Sequence, residues 1–213
     1  MRKALLAGVA VMLLTIVPAA QAKEMVYTGA CGAAGCTTFK PSISVSPHGL
    51  PGSVVPPLQS YYVLQVGYGD GKTIAVRGAQ YFVAGAGAVI GKDVPGPSDG
   101  WAKLPGKTLT AVRKATTGLQ PFPAPVPVRA YVGTTRMADA RPFTSLLGPL
   151  QPVAMPRTGE SPIPIGLEWA KPNPWTTAGA LLSYLPKARV VIRIDGYFRV
   201  PTSVADRIDR ARR

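Results

Sequence analysis

Tyr61-Tyr62-Val63-Leu64-Gln65-Val66-Gly67-Tyr68, then Asp70-Gly71, then Lys72-Thr73-Ile74-Ala75-Val76-Arg77, is the stretch whose reading decides the fold class. Its first run is aromatic and β-branched, the composition that suits a pleated, half-buried surface. Asp-Gly supplies the positive-φ positions of a tight hairpin turn. The answering run alternates polar and apolar in part, at the period of two that a strand requires. The pattern predicts two antiparallel strands. A third is predicted over residues 80–83, before Ala84-Gly85-Ala86-Gly87 breaks regularity.

The same grammar recurs near the C-terminus. Arg189-Val190-Val191-Ile192-Arg193-Ile194 reads as a strand, Asp195-Gly196 as a second tight turn, and Tyr197-Phe198-Arg199-Val200 as the returning strand. Tyr81-Phe82-Val83 and Tyr197-Phe198 thus each follow an Asp-Gly pair, a faint echo too short to define a repeat. Further strands are predicted at residues 128–132 and 165–169. Helices are expected at 107–117, where Leu109, Val112 and Ala115 recur at helical spacing, and at 141–147, where Pro142 is tolerable in the first turn and Gly148 is a stop. A final helix is expected over 204–212, capped by Thr202 or Ser203. Residues 40–59 read as a loop or an irregular edge strand, because each residue before proline is pushed to extended conformations. Residues 120–127 carry proline at every second position from Pro121, and read as a stiff connector. Residues 149–164 are irregular. Together these define an α+β protein with a mostly antiparallel β-sheet, two or three short helices and long proline-rich loops.

The N-terminus speaks to address. Arg2 and Lys3 precede 14 uncharged apolar residues, 4–17, and Ala20-Gln21-Ala22 offers the small-x-small pattern of a signal-peptidase site. The run is shorter than the ~20 residues a membrane-spanning helix needs. A signal peptide over 1–22 is predicted, then a proline- and glycine-rich segment over 23–59, then one β-rich domain over 60–213. No transmembrane helix is expected after cleavage, and the mature chain belongs outside the cytoplasm, secreted or associated with the cell envelope. In that compartment Cys31 and Cys36, in Cys31-Gly32-Ala33-Ala34-Gly35-Cys36, read as a local disulfide that pins a turn. Redox motifs typically hold two residues between the cysteines rather than four. A zinc site lacks ligands, since the chain has one histidine and no second cysteine pair.

The chain carries 24 Lys and Arg against 10 Asp and Glu, a formal charge of +14. Loss of Arg2 and Lys3 with the leader leaves +12. Such a balance favours polyanionic neighbours. No nucleic-acid-binding motif accompanies it, and export argues against that partner. The expected partner is an anionic cell-envelope polymer or another protein.

Chemistry is sparse. His48 stands alone in a loop, and no G-x-S-x-G elbow supplies a nucleophile. The glycines at 85 and 87 lack the spacing of a phosphate loop, so no cofactor is expected. No catalytic residue is assigned. A polysaccharide hydrolase needs two carboxylates across a cleft, and Glu168 with Asp93 or Asp99 is the conceivable pair. Trp101, Trp169 and Trp175, with Tyr61, Tyr62, Tyr68, Tyr81 and Tyr197, read first as core and second as a sugar-binding face.

The cysteine loop, Tyr61-Tyr62, Gln120-Pro121-Phe122-Pro123 and Pro172-Asn173-Pro174-Trp175 together resemble a group of secreted proteins of high-GC actinobacteria. That resemblance implies an exported protein with a small N-terminal disulfide loop. It transfers no functional residue.

Overall fold

A computed structural model describes residues 24–45, 55–69, 74–91, 101–177, 182–193 and 195–212. The signal segment, His48, Asp70-Gly71, Asp93 and Asp99 lie outside the described residues. The architecture is α+β and mostly antiparallel. A first sheet contains β1 (Glu24–Gly32), β2 (Gly35–Val45), β3 (Tyr62–Gly69), β4 (Ile74–Val83), β5 (Ala88–Gly91) and β6 (Ala102–Lys103), in the spatial order β2-β1-β3-β4-β5-β6. Helix α1 (Gly106–Ala115) follows it. A second sheet contains β7 (Pro127–Val132), β8 (Thr135–Arg136), β9 (Ile163–Trp169), β10 (Leu182–Leu185), β11 (Val190–Arg193) and β12 (Gly196–Arg199), in the order β8-β7-β9-β10-β11-β12. A 3-10 turn (Arg141–Leu147) and the one-turn helix α2 (Pro174–Thr177) interrupt it, and α3 (Thr202–Ala211) ends it.

The two sheets have one topology, strand for strand, and each hands its last strand to a helix. The agreement extends to single hydrogen bonds. In the turn after β4, the Gly87 N–H donates to the Ala84 carbonyl at 3.3 Å, and in the turn after β10 the Arg189 N–H donates to the Pro186 carbonyl at 3.3 Å. The strand entering each helix then donates back to that same turn, Leu104 N–H to the Gly87 carbonyl and Val200 N–H to the Arg189 carbonyl, both at 3.0 Å. Gly87 has φ +62° and Arg189 φ +51°, so one left-handed position is filled by glycine in one half and by arginine in the other. Pro105 and Pro201 both stand at the helix N-cap, and neither helix has a side-chain cap. The matching segments read Trp101-Ala102-Lys103-Leu104-Pro105 and Tyr197-Phe198-Arg199-Val200-Pro201. The chain thus contains the same six-strand, one-helix topology twice.

Strand alternation builds two cores. On β4, Phe82 turns toward α1 and packs with Tyr27, Leu64, Val66, Val89 and the fully buried Val112. Tyr81 and Val83 turn the other way, joining Ile90, Trp101 and Trp175 with Ile165, Tyr184 and Val191 of the second sheet and Val204, Ala205 and Ile208 of α3. The β4–β5 end of the first sheet is therefore covered on both faces. That explains why Ala88, Val89 and Ile90 are all buried without alternation.

Several expectations are corrected. The boundary at residue 59 falls inside the first sheet, because β1 pairs with β3 from Glu24↔Gly69 to Cys31↔Val63. The strands expected at 72–77 and 80–83 are one strand, β4. A register shift between Val66 and Gly67 inserts an extra residue there and breaks the alternation. The late hairpin pairs Arg193 with Gly196, so Gly196 opens β12 instead of standing in the turn. Helix α3 starts at Thr202 after Pro201, with neither Thr202 nor Ser203 as cap. The aromatic echo paired β4 with β12, whereas the topological partner of β4 is β10.

The connector reading of residues 120–127 matches the structure. Phe122 exchanges backbone hydrogen bonds with Tyr61 at 2.9 and 3.1 Å, and their rings stack 5.3 Å apart. Just before it, the Gln120 carbonyl accepts from the Ala33 N–H at the tip of the β1–β2 hairpin, at 2.8 Å. A Cβ on Gly32 would lie 2.1 Å from that oxygen. Gly32→Ala is therefore expected to push the connector off the hairpin and lower stability by about 1–3 kcal/mol, read from urea unfolding.

Candidate functional site

The disulfide expected from sequence is present: Cys31 of β1 and Cys36 of β2 are bonded and face one another across the ladder, one pair inside Gly32↔Gly35. The two sulfurs are not equivalent. Cys36 is exposed and Cys31 half-buried. The side-chain amide of Gln65, on the adjacent strand β3, donates to Cys31 Sγ at 3.8 Å. The same hairpin in the second half places Tyr131 opposite Arg136 and closes at Val132↔Thr135, with no covalent link.

Every carboxylate among the described residues is already engaged. Glu24 accepts from the Ser44 hydroxyl. Asp139 accepts from Arg141 Nε at 3.1 Å and from its backbone N–H at 3.0 Å, and these bonds hold its carboxyl below the ordinary value. The Glu160 carboxyl is also held low. Desolvation opposes that shift, and the amides of Lys187 and Ala188 with the Thr158 hydroxyl outweigh it. Asp206 and Asp209 of α3 receive Arg189 Nη2 at 2.8 and 3.3 Å. Glu168, the residue singled out for hydrolysis, lies on β9 in an exposed pair with Arg129 of β7, 3.1 Å apart. Several exposed cations show the opposite pattern. Among the described residues, Lys40, Lys107, Lys114, Arg136, Arg207 and Arg210 are exposed and form no ion pair within the described set.

Among the described residues one ion pair is buried, and no motif in the sequence marks it. Arg193 donates through Nε and Nη2 to both oxygens of Asp195 at 2.8 and 2.7 Å, with side-chain exposures of 6% and 2%. Arg193 Nη1 reaches the Gly148 carbonyl at 3.0 Å, and its guanidinium lies 4.0 Å from the Phe198 ring centroid. Asp195 Oδ2 also accepts from Val55 N–H at 3.1 Å. With its donors and acceptors taken up this way, the pair is a clamp between the halves. The Asp-Gly turn pattern accounts for the position of Asp195 but not for its part in this clamp.

The aromatic residues divide. Trp101, Trp175 and Tyr81 are core, as their first reading held. Tyr61 packs edge-on against Tyr81 and Trp175 at ring distances of 5.6 and 6.4 Å, while Trp169 and Tyr197 are half-buried. No group of three or more potential metal ligands occurs among the described residues. Nor is any helix there long and apolar enough to cross a membrane. Compared with protein-family models, with curated proteins and with solved structures, the chain finds no match.

Proposed function

We propose that this is an exported, non-catalytic binding protein that holds an anionic polymer of the cell envelope. The observation that carries this reading is the imbalance in how charge is used. Carboxylates are consumed by internal hydrogen bonds and ion pairs, while Lys107 and Lys114 on α1, Lys40 on β2, Arg136 on β8 and Arg210 on α3 are exposed and form no ion pair within the described residues. A surface of that kind attracts polyanions over roughly a Debye length, about 10 Å at 0.1 M salt. Export is supported by the leader pattern and by a disulfide on an exposed hairpin. The resemblance to secreted actinobacterial proteins points the same way.

The test is sedimentation of the purified protein with a teichoic-acid-type phosphate polymer, with an uncharged glucan as control. Binding to the phosphate polymer is expected to weaken at least about tenfold between about 50 and about 300 mM salt, with no binding to the glucan. Salt-independent binding to the glucan would overturn the proposal and favour an aromatic sugar surface. Binding to neither polymer would also overturn it, and would leave a protein partner as the alternative.

A further inference from the structure

We infer that the Cys31–Cys36 bond is a site of thiol–disulfide exchange, at which Cys36 is the sulfur attacked and Cys31 the sulfur that leaves. The partner it fits is an exported or envelope dithiol reductant. Three observations carry this. First, the repeated topology supplies an internal comparison. The β7–β8 hairpin reaches the same two-residue turn with Tyr131 facing Arg136, so this supersecondary structure closes without a covalent bond. The β1–β2 hairpin is moreover held on its other sides, by the full β1–β3 ladder and by the Ala33–Gln120 hydrogen bond. With only four residues between the cysteines, the bond also constrains the unfolded chain little.

Second, the bond is open to a nucleophile from one side. Cys36 is exposed on an edge strand, whereas Cys31 is half-buried one strand further in. Third, the inner sulfur has a hydrogen-bond donor. Gln65 Nε2 points at Cys31 Sγ from 3.8 Å, where it stabilises negative charge on a departing thiolate, and a better leaving thiol speeds exchange. In the step, an incoming thiolate forms a bond to Cys36 Sγ as the Cys31–Cys36 bond breaks. The electron pair passes to Cys31 Sγ, which holds the Gln65 N–H and then takes a proton from water. The second thiol of the reductant attacks its own sulfur in the mixed disulfide, releasing Cys36 as a thiol and leaving the reductant oxidised. Gln65 is a positioning residue here, acting through Cys31.

The experiment uses the folded full-length mature chain with glutathione, then with dithiothreitol, quenched with iodoacetamide and read by peptide mass spectrometry. The expected result is a glutathione adduct on Cys36 with alkylation on Cys31, formed without urea. Dithiothreitol is expected to reduce the bond completely while the thermal unfolding midpoint stays within a few degrees. Gln65→Leu should slow native-state exchange at least about threefold, yet leave the rate in denaturant unchanged, a split that a merely structural role would not produce. Three outcomes overturn the inference: exchange only at the rate of global unfolding, adducts shared equally between the two sulfurs, or loss of the fold on reduction. The native-against-denatured comparison on the unaltered protein decides the matter even if the Gln65 variant fails to fold.

Discussion

Asp195→Ala is expected to destabilise the protein by about 3–5 kcal/mol, because it strands a buried guanidinium. Arg193 has a side-chain exposure of 6% and spends two of its donors, at 2.8 and 2.7 Å, on this one carboxylate. Removing the carboxylate leaves the guanidinium without its anion and also takes the acceptor from Val55 N–H. Carbonyls at Leu146 and Gly148 and the ring of Phe198 would remain, too little for an unpaired cation. The paired change Arg193→Met with Asp195→Ala should recover a good part of the loss, since a buried ion pair replaced by apolar groups is often close to neutral. Urea unfolding of the two variants checks both statements. A single-variant loss below about 1 kcal/mol would show that the pair is solvated and not the clamp described here.

Trp175→Ala should cost about 3–5 kcal/mol, the range for emptying a large aromatic site in a core. Trp175 is fully buried, and its Nε1–H donates to the Pro56 carbonyl at 2.8 Å, across the two halves. Its helix α2 is set by Asn173, whose Oδ1 accepts from the N–H groups of Trp175 and Thr176 at 3.0 and 3.2 Å. The neighbouring Trp101 gives a control. Its ring lies 5.8 Å from that of Trp175, but its buried Nε1–H has no hydrogen-bond partner among the described residues. Phenylalanine at 175 strands a buried carbonyl as well as leaving a void, whereas phenylalanine at 101 removes a donor that was already unsatisfied. Trp175→Phe is therefore expected to be the more damaging of the two by at least about 1 kcal/mol, measured by the same unfolding curves.

What could be read from sequence were the elements whose own residues declare them. Strand β3 is aromatic and β-branched, β11 is a short aliphatic run, and α1 shows Leu109 and Val112 at helical spacing. The turn at Arg141–Leu147 is bracketed by Pro142 and Gly148. Strands β1 and β2 did not declare themselves, because Gly29, Gly32, Gly35 and Pro41 interrupt their β-branched and aromatic residues, and their pairing supplies the order. The repeated topology was hidden for a different reason. Four residues separate β3 from β4 in one half, whereas the longer excursion between β9 and β10 in the other carries Trp175, so no constant spacing survives. Only the stretches ending at Pro105 and Pro201 keep a visible likeness. At the site level, the cysteine pair was legible because spacing and compartment suffice. The commitments of Glu168 and Asp195 were not, since Arg129 lies on another strand and the burial of Arg193 depends on the whole second core.

The repeated strand order has a consequence for how the chain reaches its native state. Within each sheet every ladder but β1–β3 and β7–β9 joins strands consecutive in sequence, so most hydrogen bonds close over short loops. Each unit can complete its own ladder before meeting the other. What remains is the search of one unit for its twin, ended when Trp175 finds the carbonyl of Pro56 and Asp195 finds the amide of Val55. Assembly is thereby an encounter between two similar bodies tethered by a proline-rich strap. The strap shortens that search by keeping the two bodies within reach of each other.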